Sequence, residues 1–189
     1  MLEWIQRGLS QGRVTMRYPR GAQAPPPELA ALPVGEDAYL APGHRPLGER
    51  ARGLRRSVHV RHIDCGSDGS EEWEIQALWN PYYDIQRVGF FLTSSPRHAD
   101  VLLVTGAVTG PMRKPLERTW SVMPEPKALV AVGADACSGG LAQEGLTAGG
   151  VDRVLPVDVY VPGSPPAPIT IMRGLLLATG LLAQTGMAA

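Results

Sequence analysis

Two stretches, Val101-Leu102-Leu103-Val104-Thr105-Gly106 and Ala128-Leu129-Val130-Ala131-Val132-Gly133, decide the fold. Each is a short, nearly unbroken apolar run stopped by a glycine. A strand with one wet face alternates apolar and polar residues, whereas a strand of a parallel sheet is covered on both faces and does not. Parallel neighbours also need a crossover between them. Residues 112–123 supply one, because Leu116, Trp120 and Met123 fall on one face of a helix.

The same pattern extends outward. Val58, Val60 and Ile63 lie in a strand-like run that ends at Asp64-Cys65-Gly66. A loop, Ser67-Asp68-Gly69-Ser70, leads into a helix to about Trp79, with Asp68 or Ser70 as its cap, Ile75, Leu78 and Trp79 inward, and Pro81 as its stop. Downstream, Val154–Val159 predicts a short strand and Pro162-Gly163-Ser164-Pro165-Pro166 a rigid turn. Pro168 opens a last helix with Ile169, Met172 and Leu176 on one face. Strands alternating with helices predict an α/β domain over residues 57–189, a flavodoxin-like, mostly parallel sheet with flanking helices. Ligands of such sheets bind beyond the C-terminal ends of the strands. The loops 64–71, 133–140 and 160–166 are therefore expected to converge at one edge.

The 189 residues are 44% apolar, enough for one core. Lys plus Arg and Asp plus Glu both total 18. A zero net charge argues against a nucleic-acid partner. The balance is uneven, with 10 basic and 5 acidic residues in 1–61 against 8 and 13 in 62–189. Residues 1–16 suit a short helix carrying Leu2, Ile5 and Leu9, then a strand. From there to residue 56 the chain is rich in Pro, Gly and Arg, including Pro25-Pro26-Pro27. Residues 1–56 are expected to be an extended basic arm, either docked on a partner or an anionic membrane surface or solvated as a linker. Two cysteines are too few for a disulfide scaffold and suit the cytosol. No secretory leader is visible in the first residues, and no apolar run approaches the roughly 18 residues of a membrane span.

At the strand ends the sequence resembles a known family. Tyr83-Asp84-Ile85-Gln86-Arg87-Val88-Gly89 fits its Y-D-x-x-R-x-G, and Ser95-Pro96-Arg97-His98-Ala99-Asp100, leading into Val101–Gly106, fits its S-P-R-x-A-D segment. Met123-Pro124-Glu125-Pro126-Lys127, the glycines of Gly133 and Ser138-Gly139-Gly140, and Val151-Asp152-Arg153-Val154-Leu155-Pro156-Val157-Asp158-Val159-Tyr160-Val161-Pro162-Gly163 follow in the family's order. The family is the B-type subunit of respiratory complex I (NADH-quinone oxidoreductase), together with the small subunits of energy-converting group 4 NiFe hydrogenases and formate hydrogenlyases. Gly12-Arg13-Val14-Thr15-Met16-Arg17-Tyr18-Pro19 is similar to the start of the ferredoxin-like subunits of the same complexes.

The resemblance implies a peripheral subunit on the cytoplasmic side of a membrane complex. The implied partners are a large hydrogenase- or complex I-type subunit and ion-translocating membrane subunits, with a ferredoxin-like subunit as a further one. It also implies one [4Fe–4S] cluster, held by four cysteines. The corresponding positions here are Asp68, Glu71, Asp135 and Ser164. Clusters are held by soft thiolates, and these residues offer hard oxygen. No cluster is therefore expected, and the chain reads as a redox-inactive scaffold. The alternative is electron transfer through an atypical iron–sulfur or metal centre using Cys65 and Cys137, which lie near but not at the ligand positions. Three carboxylates sharing the vacated space would need a proton, an arginine or a hard cation, unless the space has closed around side chains.

Other candidates carry less. His59 and His62, three apart on a strand, face opposite sides and suit structural roles rather than a shared metal. Gly133–Gly140 is glycine-rich but fits neither nucleotide-binding fingerprint. Ser164 has no His or Asp at a spacing that suggests a hydrolase. Trp73 and Trp79 suit packing or an interface.

Overall fold

The computed structural model describes residues 38–44, 46–47, 57–141 and 145–181. The helix and strand expected within residues 1–16, the Gly12–Pro19 segment and most of the basic arm lie outside the described residues.

Among the described residues, six strands form one sheet: β1 (Tyr39–Leu40), β2 (Val58–Asp64), β3 (Phe90–Leu92), β4 (Val101–Thr105), β5 (Ala128–Val132) and β6 (Val159–Val161), in the order β1-β6-β5-β4-β2-β3. Every pairing is parallel except β1 with β6. The accompanying helices are α1 (Ser70–Ala77), α2 (Gly110–Val122), α3 (Gly133–Ser138) and α4 (Pro168–Thr179). The domain is thus α/β with a mostly parallel sheet, as the apolar runs predict. β4 and β5 fall where those runs lie and are buried along their whole length.

The sheet is covered on both faces. On one, Ile63, Leu102, Val104, Leu129 and Ala131 meet Leu116 of α2 and Ala136 of α3. On the other, α4 lies over β5 and β6, its backbone close enough that a side chain at Gly174 would strike Val161. Ten residues of the twelve in α4 are buried, so this helix is apolar nearly all round because it is enclosed. Lys127 closes the end of α2, its Nζ donating to the Trp120 carbonyl at 2.7 Å and lying 4.5 Å from the centre of the Trp120 ring. A cation there complements the helix dipole.

Four elements differ from the sequence expectation. The strand expected over Val154–Val159 begins only at Val159, after a 3₁₀ turn at Val151–Arg153. Pro156 has no N–H to give a ladder. Asp158 instead takes the Leu129 N–H on its carboxylate at 2.7 Å. α1 stops at Ala77 rather than Trp79, because Leu78, Trp79 and Asn80 donate to carbonyls three residues back and tighten the end. Two short edge strands, β1 and β3, have no counterpart in the apolar pattern. β1 lies inside the stretch expected to be arm, and Leu47 beyond it is fully buried.

Candidate functional site

The C-terminal ends of β2, β4, β5 and β6 open onto one edge, and the predicted loops meet there. The Ala134 N–H donates to the Gly163 carbonyl at 2.7 Å, joining the start of α3 to the turn before α4. Glu71 of α1 reaches across to Gly133 at the end of β5. Gly133 has φ +91° and leaves the space that the Glu71 carboxylate fills.

The four positions that the resemblance gives as cluster ligands are treated very differently by the structure. Asp68 is exposed and turned back on its own loop, where Oδ1 accepts the Ser70 N–H at 2.9 Å and the Ser70 hydroxyl at 2.5 Å. These hydrogen bonds hold its carboxyl below the usual range. The helix N-cap itself is Gly69, in the left-handed region, so Asp68 serves the first turn without occupying the cap. Glu71 is only 2% exposed. Burial pushes its carboxyl up, and the charges of Asp68 and Asp135 push the same way. Its Oε2 lies 3.1 Å from the Ser70 hydroxyl oxygen. Asp135, half-buried on α3, packs against Gly140, and burial followed by the charge of Asp68 raises it. Ser164 is exposed in the turn between β6 and α4.

Glu71 therefore feels the charges of Asp68 and Asp135, and Asp135 that of Asp68. Among the described residues, no three His, Cys, Asp or Glu side chains are grouped to hold a metal ion. The cysteines face elsewhere. Cys65 is fully buried within the core beneath the loop, and Cys137 packs against the same core. Burial pushes both thiols up to about 12. The donor set at this edge is oxygen, part of it already occupied by hydrogen bonds within the loop. These residues do not fit a [4Fe–4S] cluster, which takes thiolate sulfur.

A second set of polar groups flanks the acids. Glu72, next to Glu71 but turned the other way, accepts from Ser67 Oγ at 2.6 Å and from Thr105 Oγ1 at the end of β4. His62 Nε2 lies 3.0 Å from Thr105 Oγ1 and 3.5 Å from Glu72 Oε1. Burial lowers the His62 pKa, against the opposing pull of Glu72. His59, on the other side of β2, meets Asp100 and the Phe91 ring. The two histidines thus point apart, as their spacing requires. The link from His62 to Glu72 is not readable from spacing, since it joins residues on three elements. Strand parity gives the one available signal, placing His62 on the same face as Val60.

Of the aromatic residues, Trp79 is half-buried, while Trp73 stands 72% exposed on α1. No helix among the described residues is long and apolar enough to cross a membrane.

Comparison with known proteins bears on the same region. Residues 68–178 match the family described as NADH ubiquinone oxidoreductase, 20 Kd subunit. Formate hydrogenlyase subunit 7 of Escherichia coli (strain K12) is 45% identical over 132 residues, covering 69% of this chain and 52% of that protein. The chain thus spans about half the length of that relative. The probable membrane-bound hydrogenase subunit mbhJ of Pyrococcus furiosus is 40% identical over 139 residues, covering 73% of this chain and 83% of that protein. Among solved structures, a chain of the membrane-bound sulfane sulfur reductase, an archaeal respiratory membrane complex, superposes with a TM-score of 0.59 at 28% identity, covering 68% of this chain and 75% of that one.

Proposed function

The chain belongs to the NADH ubiquinone oxidoreductase, 20 Kd subunit family, and from that premise we propose that it is a redox-inactive scaffold subunit of a complex I-like or energy-converting hydrogenase-like membrane assembly. It sits peripherally on the cytoplasmic side and links a large hydrogenase- or complex I-type subunit to membrane subunits that move ions. It passes no electrons, and its fold serves as a docking frame.

One observation carries this reading. The loops converge at the sheet edge, but the positions that the resemblance gives as cluster ligands hold Asp68, Glu71, Asp135 and Ser164, and the Glu71 carboxylate is seated in the glycine niche at Gly133. A hard, partly occupied oxygen set does not replace four thiolates. Cys65 is buried and Cys137 half-buried, both with raised pKa values, which weighs against an atypical centre built on them.

The test is to purify the tagged chain from membranes of its own host under anaerobic conditions. Co-purification of a large subunit and membrane subunits is expected. Iron and acid-labile sulfide assigned to this chain should be near zero, and anaerobic reconstitution of the isolated chain should give no cubane EPR signal after reduction. About four irons per chain would overturn the redox-inactive reading. A chain recovered alone from the soluble fraction would overturn the scaffold reading.

A further inference from the structure

We propose that His62 and Glu72, joined through Thr105, form a proton-binding latch that holds the loop 64–72 against the sheet. The latch does not depend on the partners of the chain.

The hydrogen bonds run in one direction. The Thr105 hydroxyl has one hydrogen, and it goes to Glu72 Oε1. Its contact with His62 Nε2, at 3.0 Å, is then made by His62 donating. That fixes the neutral imidazole as the Nε2–H tautomer and leaves Nδ1 as the site that takes a proton. On the far side, Ser67 Oγ donates to Glu72 Oε2 at 2.6 Å and accepts the Gly69 N–H at 3.1 Å. Asp64 adds a second clamp, its Oδ1 accepting the Gly66 and Ser67 N–H groups, each at 2.8 Å. Glu72 therefore ties β2 and β4 to both ends of the loop.

The charged groups acting on His62 are Glu72 from α1 and, on its own strand, Asp64 and Arg61; β4 contributes the uncharged Thr105. Glu72 and Asp64 favour the imidazolium, while Arg61 and burial oppose it, and burial is the largest of the four. Burial thus biases His62 towards its neutral form while the loop is closed. Because its folded pKa lies below the ordinary 6.5, the closed state is favoured above that pH and loses its advantage as the pH falls through the folded pKa. A proton on Nδ1 leaves a half-buried cation, and opening the loop returns it to water.

The experiment uses the whole 189-residue chain with ¹⁵N-labelled histidine, followed by NMR between about pH 8 and pH 5, with hydrogen exchange of the 64–72 amides over the same range. The Nε2–H tautomer is expected at the alkaline end. Exchange of these amides, corrected for its intrinsic pH dependence, should rise by about tenfold with the midpoint of His62. His62→Gln keeps an N–H donor for Thr105 and cannot titrate, so the rise should vanish. Glu72→Gln removes a charge that favours the imidazolium, so the midpoint should fall. An Nδ1–H tautomer in the unmodified protein, or an equal rise in His62→Gln, overturns the proposal. If His62→Gln does not fold, the tautomer and the Glu72→Gln midpoint still decide it.

Discussion

Glu71 and Gly133 are packed so closely that a methyl group on residue 133 would lie 2.5 Å from Glu71 Oε1 and 2.8 Å from its Cγ. Gly133 also has φ +91°, a conformation that L residues seldom adopt. Gly133→Ala therefore meets both a steric and a backbone penalty, with an expected loss of about 2–4 kcal/mol of folding stability in urea denaturation. Adding Glu71→Ala removes the clash and leaves the backbone strain, so the double variant should recover part of the loss. Simple addition of the two single effects would show that the contact is not tight in solution.

The buried Glu71 carboxyl makes a pH prediction with a definite sign. Its pKa is raised, chiefly by burial, so the folded state favours the protonated acid more than the unfolded chain does. The contribution of Glu71 to stability is full below its unfolded pKa and is lost as the pH rises through its folded pKa. Glu71→Gln is a neutral isostere and does not suffer that loss. Melting curves should show Glu71→Gln above the parent at pH 7–8, with the gap closing towards pH 4. A variant less stable than the parent at pH 8 would mean that the carboxylate is paired and needed there.

Legibility depends on whether a feature is local in sequence. β4 and β5 are readable because burial on both faces writes itself as an unbroken apolar run, and the convergence of the loops follows from parallel topology. The edge strands are not readable. β1 is two residues long, and β3 owes its pairing to β2 rather than to any alternation of its own. The start of β6 is misleading because Val154 and Leu155 are apolar but face the core from a turn. At the site, the oxygen donors are visible in the sequence, but their arrangement is not. That Asp68 points at Ser70, Glu71 at Gly133 and Glu72 at Thr105 is set by helix phase and strand parity together, which no spacing rule reports.

The two thiols should be inert in the folded protein. Cys65 is fully buried, Cys137 is half-buried, and both pKa values are pushed up to about 12. At pH 8 about one thiol in ten thousand would then be a thiolate, the form that reacts. Iodoacetamide should label neither cysteine of the native protein in the time it labels both in guanidinium. Rapid native labelling of Cys137 would place that thiol in solvent and restore its standing as a metal-ligand candidate.

Asp158 offers a test of how β6 is registered on β5. Its carboxylate accepts the Leu129 N–H at 2.7 Å on one oxygen and meets His44 Nδ1 at 2.9 Å on the other, and the residue is 5% exposed. The two contacts differ in consequence. Asp158→Ala strands a buried backbone N–H in the middle of the sheet, at an expected cost of about 2–3 kcal/mol in urea denaturation. His44→Ala leaves Asp158 on Leu129 and removes a partly exposed contact, at a cost of about 1 kcal/mol or less. Asp158→Asn keeps an acceptor for Leu129 and should fall between them. Equal losses in Asp158→Ala and His44→Ala would show that the strap around His44, rather than the Leu129 hydrogen bond, holds this end of the sheet.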